Sequence, residues 1–344
     1  MSFVYVANFN SANVSVIDTK VNRLIANIQV QGSPIATILS PNGQYCYVLS
    51  QGSPGNVTVI DTKDHKVMAT IQVGVVTSSS LPNNPMAITH DGQWIYVANS
   101  ASSNVTVIDT KDYRVIANVQ LITIPNSIAI TADDQFAYVV NADSGSVTVI
   151  ETKTNQVISS TGIDLGAFDI LITPDGRYIY ACSNVDANVF VLDRKGNQVI
   201  AIISVGMVAG DLSLDITADG QYVYVTNTID ATVSVIEVRT NQVISTVGVG
   251  LFPLIPKVMA DGRYVYVVNQ GENTVSVIDT KTNRVVSTVG VGLMPFTLRI
   301  TADDRYVYVV NGGENTVSVI EAKTNRVIST VRVGSLPQAL AITP

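Results

Sequence analysis

The sequence predicts an all-β chain of 344 residues that folds as an eight-bladed β-propeller with four antiparallel strands in each blade. Three observations support this prediction: a repeated word, the strand-forming residues around it, and the phase at which the chain enters and leaves the repeat. The repeated word is a short sequence motif of the form apolar-x-apolar that ends in an acidic residue. The acidic residues are Asp18, Asp61, Asp109, Glu151, Asp193, Glu237, Asp279 and Glu321. The spacings of 43, 48, 42, 42, 44, 42 and 42 residues are typical of propeller blades.

Each repeat divides into four strands, which we name A to D. Strand A resembles PQALAIT, and a turn such as Asp219-Gly220 leads into strand B, which resembles QYVYVTN. Strand C is the repeated word, and strand D resembles NQVISTV. Val, Ile, Thr and Tyr dominate these segments, as they do in strands generally. Asp-Gly between two apolar runs is a strong indication of a hairpin.

The phase of the repeat predicts how the ring closes. The chain opens at a strand B (Phe3 to Asn8) and ends with a lone strand A (Pro337 to Thr343), with seven complete blades between Pro34 and Val333. The N-terminal strands B, C and D are therefore expected to pair with the C-terminal strand A, which removes the open sheet edges. We expect residues 1–344 to form a single domain.

Tyr-Val-x-Asn words mark strand B of most blades. They stand at 5–8, 96–99, 138–141, 224–227, 266–269 and 308–311, with degraded copies at 47–50 and 180–183. In these words the chain resembles the YVTN-repeat family of β-propellers. The resemblance covers essentially the whole chain and implies the fold. Its functional implications are broad, from surface-layer and adhesion modules to relatives of propeller lyases and lactonases.

Composition excludes several classes of partner. The chain is 47% hydrophobic and 14% charged, with a net charge of −7, so it lacks the basic stripe of nucleic-acid-binding proteins. No window holds 18 uninterrupted apolar residues, so no membrane insertion is expected. The chain as written has no signal peptide, which predicts a cytoplasmic protein, or an extracellular one if a signal was removed. Cys46 and Cys182 lie out of register in different repeats, so no disulfide is expected.

Both histidines are predicted at one end of the propeller. His65 falls in a C–D turn and His90 in an A–B turn, and these turns share the end that we call the bottom. Neither a Ser-His-Asp triad nor a histidine-bound metal is then expected at the opposite end, the top. The resembling propeller lyases place a histidine base near the channel, so their site residues cannot be transferred. No cofactor and no metal are predicted. The remaining candidate metal ligands are acids of B–C loops, which are interpreted as solubility charges: Asp143, Asp186, Asp230, Glu272 and Glu314.

The top loops vary more than the bottom turns. All length changes can be placed in the top loops, near 75–84, 207–210 and 51–55, and binding sites often lie on variable loops of a rigid scaffold. Several D–A loops are also unusually apolar, at 121–126, 162–168, 206–211, 250–255 and 292–296. Two interpretations remain open: these side chains fill gaps between blades, or they form an apolar pocket or patch at the channel mouth. The second makes Phe168, Met207, Phe252, Met294 and Phe296 ligand-binding candidates.

Strand A carries unexpected charges. Two residues before its final threonine, five blades have an apolar residue, whereas three consecutive blades have Asp215, Lys257 and Arg299. Asp169 lies two residues earlier in the preceding blade, on the same strand face, and Asp211 begins the next strand A. Because strand A is innermost, these side chains are expected to face the channel or the wedge beside it. They either neutralise one another in a salt-bridge network or orient an anionic or carbonyl-bearing ligand.

Two functional hypotheses follow. The first is a ligand-binding propeller with a small-molecule site at the top mouth of the central channel. If catalytic, it would be an isomerase, cyclase or lyase in which Arg299, Lys257 and Asp215 act by positioning and electrostatics, while Asp169 and Asp211 bind the ligand. The alternative is a protein-interaction or surface-layer scaffold without catalytic activity, with a protein partner on the top face. Whether the chain is an enzyme stays open at this stage.

Overall fold

A computed structural model describes residues 2–77, 84–207 and 210–344. These residues form 32 strands in eight four-stranded antiparallel sheets arranged as a ring. The prediction of an eight-bladed propeller is therefore confirmed.

The strands follow one another with short turns and loops between them. Strands β1 to β3 span Phe3–Asn8, Asn13–Asp18 and Arg23–Gln29. Blade 1 contains β4 to β7 at Ser33–Leu39, Tyr45–Gln51, Asn56–Asp61 and Val67–Gln72. Blade 2 contains β8 to β11 at Met86–Ile88, Trp94–Asn99, Asn104–Asp109 and Arg114–Gln120. Blade 3 contains β12 to β15 at Pro125–Ile130, Phe136–Asn141, Ser146–Glu151 and Gln156–Gly162.

The remaining blades repeat the same order. Blade 4 contains β16 to β19 at Ala167–Ile172, Tyr178–Ser183, Asn188–Asp193 and Gln198–Ser204. Blade 5 contains β20 to β23 at Leu212–Ile216, Tyr222–Asn227, Thr232–Glu237 and Gln242–Gly248. Blade 6 contains β24 to β27 at Pro253–Val258, Tyr264–Asn269, Thr274–Asp279 and Arg284–Gly290. Blade 7 contains β28 to β31 at Pro295–Ile300, Tyr306–Asn311, Thr316–Glu321 and Arg326–Arg332, and β32 spans Pro337–Ile342.

The two ends of the chain share blade 8. Strand β32 pairs antiparallel with β1, with Val4 opposite Ile342 and Ala7 opposite Ala339. The sheet order is β3-β2-β1-β32, so the C-terminal strand takes the innermost place. This is the closure that the phase of the repeat predicts.

The core lies between neighbouring blades. Strands B and C are buried along almost their whole length, which explains the low charge content. One tyrosine in each strand B is at most 1% exposed: Tyr5, Tyr47, Tyr96, Tyr138, Tyr180, Tyr224, Tyr266 and Tyr308. The buried apolar side chains form clusters, and each cluster joins two neighbouring blades. In one of them, Tyr266 of blade 6 packs with Val307 and Val309 of blade 7.

The buried tyrosines also connect blades through their hydroxyl groups. Tyr266 donates to Asn325 Oδ1 at 2.9 Å and Tyr308 donates to Asn22 Oδ1 at 2.6 Å, each in the C–D turn of the next blade. Asn325 has a φ of +52°, a left-handed conformation that asparagine tolerates better than most residues. The same bond joins Tyr96 to Asn155, Tyr138 to Asn197, and Tyr180 to Asn241.

The junction between blades 5 and 6 lacks this bond. Among the described residues, Tyr224 Oη and Asn283 Oδ1 are both buried without a hydrogen-bond partner. We therefore expect Tyr266→Phe to lower the free energy of unfolding by about 1 kcal/mol, because it removes a hydrogen bond and leaves Asn325 Oδ1 unsatisfied. Tyr224→Phe should change it by less than about 0.5 kcal/mol. Urea denaturation of the two variants tests this, and equal losses would mean that the hydroxyl bonds do not connect the blades.

The outermost strand of every blade carries a β-bulge. The register of strand D shifts by one residue against strand C, as between Ala117 and Val115 in blade 2. The bulged residue is apolar and exposed in all eight blades: Ile25, Met68, Ile116, Ile158, Ile200, Ile244, Val286 and Ile328. Bulges of this kind discourage edge-to-edge pairing between molecules.

Two expectations concern the chain as a whole. Within residues 2–77, 84–207 and 210–344, no helix has the length and apolar character to cross a membrane. Cys46 and Cys182 are both buried and free, so the expectation of no disulfide between them is confirmed.

Candidate functional site

The topology defines the two ends of the channel. Each strand A runs from a D–A loop to an A–B turn, so D–A and B–C loops share the top, and A–B and C–D turns share the bottom. His65 follows β6 in a C–D turn, and its Nδ1 lies 2.7 Å from Tyr5 Oη. Burial lowers the pKa of His65. His90 follows β8 in an A–B turn, with Nδ1 at 3.0 Å from Asp134 Oδ1. Both histidines therefore lie at the bottom, as predicted.

The A strands line a cavity of about 60 Å³ in the channel. One water needs roughly 10–15 Å³ on this scale, so the cavity has room for about four to six waters. Asp169, Lys257 and Arg299 line it, together with residues of blades 1, 2, 5 and 8. The predicted orientation of these three charged side chains toward the channel thus agrees with the structure.

Asp215 and Lys257 form an ion pair between blades 5 and 6. Lys257 Nζ lies 3.4 Å from Asp215 Oδ1, and both side chains are about a quarter exposed, at 26% and 24%. The other oxygen of Asp215 accepts a hydrogen bond from the Val258 N–H at 2.8 Å. Both oxygens of Asp215 therefore have partners in the neighbouring strand A.

Arg299 does not join this ion pair. Its Nη1 donates to Leu298 O at 3.0 Å, and no carboxylate of the described chain lies within 4 Å of the guanidinium. Burial lowers the pKa of Arg299, while Asp215 and Asp169 act in the opposite direction from a greater distance. The predicted three-member network is thus present for Asp215 and Lys257 and absent for Arg299.

Asp169 is buried and accepts hydrogen bonds from three A strands and from the loop before a fourth. It is 3% exposed, and burial raises the pKa of its carboxyl, although backbone N–H groups oppose the shift. Its donors are Ile170 N at 2.9 Å, Ser213 Oγ at 3.1 Å, Leu214 N at 3.2 Å, Ser127 Oγ at 3.4 Å and Asn84 Nδ2 at 3.5 Å. These donors belong to blades 2 to 5, so Asp169 holds the inner ring together at this point.

The raised pKa of Asp169 predicts a pH dependence of stability. Protonation favours the folded state, so its contribution is fully present below the unfolded pKa of about 3.8 and decreases as the pH rises through the folded pKa. The free energy of unfolding of the wild type minus that of Asp169→Asn should therefore fall as the pH rises above the unfolded pKa of about 3.8. Urea titrations at several pH values test this. Taking the difference between the two proteins removes the contributions of other carboxyls to the pH dependence, such as that of Asp303, whose pKa is lowered. A flat difference would contradict the assignment.

The sequence left two interpretations of the apolar top loops, gap filling between blades and an apolar pocket or patch at the mouth, and the structure shows examples of both. Met207, Phe252 and Met294 are 95%, 49% and 50% exposed, so they belong to an apolar patch around the mouth. Further exposed apolar side chains of the D–A loops are Ile122, Leu165, Leu251 and Leu293. Residues 78–83 and 208–209, which include most of two predicted insertions, lie outside the described residues.

Phe168 and Phe296 lie deeper than expected for exposed loops. Phe168 is 3% exposed and packs in the core between blades 4 and 5. The expectation that it contributes to the exposed patch is wrong, because it fills an inter-blade gap. Phe296 is partly buried and lines the channel cavity. Its ring lies against Gly312, where a Cβ would come within 2.1 Å of the ring. Asp211, just before β20, is partly exposed, and burial raises its pKa.

Three bulky residues of the top loops have a left-handed backbone conformation. The φ angles are +51° for Phe252, +50° for Met294 and +51° for Leu336, each directly before strand A. Gly166 takes this place in blade 4, with a φ of +72°. Side chains with a Cβ are strained there by roughly 1–2 kcal/mol. Large apolar side chains thus stand at positions where a glycine would avoid this strain.

This strain predicts an unusual stability change. Met294→Gly should raise the free energy of unfolding by about 0.5–1 kcal/mol, because relief of the strain exceeds the entropic penalty of glycine. Gly262→Ala is the matched control, since Gly262 has a φ of +70° and nothing within 4 Å of its would-be Cβ. It should lower stability by about 1 kcal/mol. Denaturation midpoints test both, and a less stable Met294→Gly variant would mean that packing of the side chain outweighs the strain.

Sequence reasoning missed two cavity residues. Thr37 of β4 and Gln338 of β32 both line the cavity. Gln338 is the residue skipped where the β1–β32 register shifts, between the pairs Ala7–Ala339 and Asn8–Pro337. A bulge breaks the alternation of faces along a strand, so a period of two could not place this side chain. The amide of Gln338 stands where blades 4 and 7 have Phe168 and Phe296, and this polar exception was the available signal.

The described residues contain no group of three or more His, Cys, Asp or Glu side chains placed to hold a metal ion.

Comparisons with known proteins support the propeller fold. A family model described as Cytochrome D1 heme domain matches residues 3–127 and 131–251. The dihydro-heme d1 dehydrogenase NirN, solved in complex with DHE, has a TM-score of 0.84 and 16% identity over 98% of this chain and 74% of that chain. Hydrazine synthase of Kuenenia stuttgartiensis has a TM-score of 0.68 and 22% identity over 84% of this chain and 95% of that one.

A further solved structure with the same fold is a functionally unknown protein from Desulfotomaculum acetoxidans. Its TM-score is 0.68, with 17% identity over 99% of this chain and 98% of that chain. No curated protein matches the sequence. At these identities the structural similarities establish the β-propeller fold. The fold is also the part of the YVTN-repeat resemblance that these comparisons support.

Proposed function

Because the chain belongs to the Cytochrome D1 heme domain family, we propose that it binds a small organic ligand at the top mouth of its central channel. The observation that carries the proposal is the combination of an exposed apolar rim with an unpaired cation below it. Met207, Phe252 and Met294 form part of the rim, and Arg299 lines the cavity beneath it. Sites for small organic molecules are commonly apolar with a few convergent polar groups.

The family description and NirN suggest a heme-like ligand, and the donor set of the top end tests that suggestion. Heme iron is held by His, Cys, Met or Tyr side chains. Both histidines lie at the bottom, Cys46 and Cys182 are buried, and the tyrosines belong to strands B or to a C–D turn. The thioethers at the top end are Met207 and Met294 in the loops and the buried Met86 in the cavity wall. These residues do not fit an iron cofactor held by imidazole or thiolate. They fit a ligand held by apolar contacts and by its own acidic group.

If the site is catalytic, it works by positioning and electrostatics. Arg299 offers a planar set of N–H donors that binds oxygen atoms in which negative charge develops. Lys257 adds a second positive charge, held in place by Asp215. The described site lacks a nucleophile paired with a base, so isomerisation, cyclisation or elimination suits it better than hydrolysis.

A second candidate function is a protein-interaction scaffold. The observation that favours it is the near-complete exposure of Met207 and Ile122, at 95% and 101%. Apolar side chains this exposed at the outer part of a rim suit a protein partner better than a ligand over the channel. The resemblance to YVTN-repeat surface-layer modules points the same way.

Native mass spectrometry of the protein from its own source tests the proposal. Wild type should carry a discrete small-molecule mass, and Arg299→Ala should lose it. Arg305→Ala is the matched control, because Arg305 lies at the bottom with its guanidinium 5.3 Å from the centre of the Tyr306 ring, and it should keep the mass. A bare chain mass in all three variants would overturn ligand binding. A protein-sized mass that persists in Arg299→Ala but disappears in Met207→Ser would favour the scaffold.

A further inference from the structure

We propose that the channel cavity is a site for one compact oxyanion group, the carboxylate of an amphipathic organic acid, bound by Arg299 with Thr37 and Gln338 beside it. This inference rests on the proposed function and specifies the polar end of the ligand.

The two cations in the cavity wall, Arg299 and Lys257, have unused hydrogen-bond donors. A guanidinium carries five N–H donors and no acceptor, and Arg299 uses one donor on Leu298 O. An ammonium carries three donors, and Lys257 has one ion-pair partner, Asp215. A group rich in acceptor oxygens is therefore the complementary occupant. A carboxylate or another oxyanion has this character, and Arg binds such groups with two parallel hydrogen bonds.

Two polar groups in the wall lack partners. Thr37 is 8% exposed, and its hydroxyl makes no hydrogen bond with the described residues. The side-chain oxygen of Gln338 is likewise buried without a partner. Rotation of this amide by half a turn places its NH₂ group at the same point, because the two orientations have the same shape. Unpartnered buried polar groups are unfavourable, and an anion in the cavity would satisfy both.

The nearby acids are already engaged. Asp169 receives five hydrogen bonds, and Asp215 uses one oxygen on Lys257 and the other on Val258. They belong to blades 4 and 5, whereas Arg299, Gln338 and Thr37 belong to the consecutive blades 7, 8 and 1. An anion on that side of the channel therefore meets donors, and no carboxylate is paired with Arg299.

The size of the cavity determines which part of a ligand enters it. About 60 Å³ holds a carboxylate or a tetrahedral oxyanion and excludes an aromatic ring system. Phe296 is partly exposed and lines the cavity, so it marks the boundary between the polar interior and the apolar rim. The occupant with matching chemistry has an acidic head in the channel and an apolar body at the mouth. An inorganic oxyanion shares the chemistry of the head alone.

Isothermal titration with four probes tests the inference at fixed, low ionic strength: octanoate, octan-1-ol, acetate and sulfate. Wild type should bind octanoate at least about tenfold more tightly than octan-1-ol, which has the same chain without the charge. Arg299→Met should abolish that preference and leave octan-1-ol binding unchanged. Arg299→Lys should retain part of it, and Thr37→Val should reduce it by about threefold. Arg305→Met, at the bottom, should behave as wild type.

The outcomes separate the inference from the proposed function. Equal binding of octanoate and octan-1-ol would overturn the oxyanion site and leave ligand binding at the mouth standing. Sulfate binding that Arg299→Met abolishes, without octanoate binding, would support an oxyanion site while contradicting the organic acid. Loss of the octanoate preference in Arg305→Met as well would overturn the assignment to the channel. If Arg299→Met does not fold, Arg299→Lys and Thr37→Val decide the result.

Discussion

Replacement of Asp169 by alanine is expected to lower the free energy of unfolding by about 2–4 kcal/mol. The substitution leaves two backbone donors, Ile170 N and Leu214 N, buried without an acceptor. Each such group costs roughly 1–3 kcal/mol, while the hydroxyl donors can rotate toward other partners. Burial of the charged carboxylate is itself unfavourable, and it raises the pKa of Asp169. Removal of this charge therefore offsets part of the loss of stability.

Urea denaturation at pH 7 measures this effect, with Asp186→Ala as the control. Asp186 is an exposed acid of a B–C loop, so its removal should change stability by less than about 0.5 kcal/mol. Because the donors to Asp169 come from four blades, we also expect faster amide exchange in β12, β16 and β20. An Asp169→Ala variant as stable as the Asp186→Ala control would show that this junction does not stabilise the inner ring.

Replacement of Arg299 by methionine is expected to have the opposite sign. It should raise the free energy of unfolding by about 1–2 kcal/mol, because an apolar side chain of similar length replaces a partly buried charge without an ion-pair partner. The lowered pKa of Arg299 reports the same unfavourable burial. Loss of the attraction to Asp215 and Asp169 keeps the gain modest.

The sign of this change distinguishes a structural charge from a functional one. A stabilised Arg299→Met that no longer binds the ligand would mean that the cation is retained for binding at the expense of stability. A destabilised variant would mean that Arg299 is a structural partner of the two acids. Lys257→Met is the informative comparison, since Lys257 has an ion-pair partner. It should lower stability, because it leaves Asp215 without its cation.

The architecture was predictable because the blades are built from local patterns. The word that ends at Asp279 recurs with little change at Glu321, and each copy meets nearly the same environment. The phase of the repeat was enough to predict the closure by β32, which pairs with β1. The charged residues of strand A could be found as exceptions to an apolar position.

Side-chain partners were less predictable. The acids that end strand C have a basic residue two positions later, which suggests eight ion pairs. In the structure Asp18 and Asp61 instead accept hydrogen bonds from backbone N–H groups of Lys20 and Lys63, at 2.7 Å each. Of these eight acid–base pairs, Glu237 and Arg239 come within 4 Å, at 3.4 Å. A tight turn brings the backbone closer to the acid than a long flexible side chain.

The candidate site likewise contains residues that the sequence could predict and residues that it could not. Arg299, Lys257 and Asp169 were predictable because charge in an apolar strand position is conspicuous. The roles of Phe168 and Gln338 depend on the bulge near the start of strand A, because each is the residue skipped where the pairing register with strand B shifts. Such a shift changes which side chains enter the channel, and it depends on the geometry of pairing rather than on residue type.

The pairing of β1 with β32 has a consequence for how the protein is made. Its partners are roughly 330 residues apart. At about 5–20 residues per second, a ribosome needs roughly 20–70 s between them. Throughout that time β1 can pair with β2 on one edge, while its other edge has no partner. Seven later blades emerge and fold in turn during this interval. Premature pairing with another nascent chain is the hazard of this interval. Synthesis of this ring thus ends with its slowest contact, and chaperone dependence should decrease in a circular permutant that begins at β4.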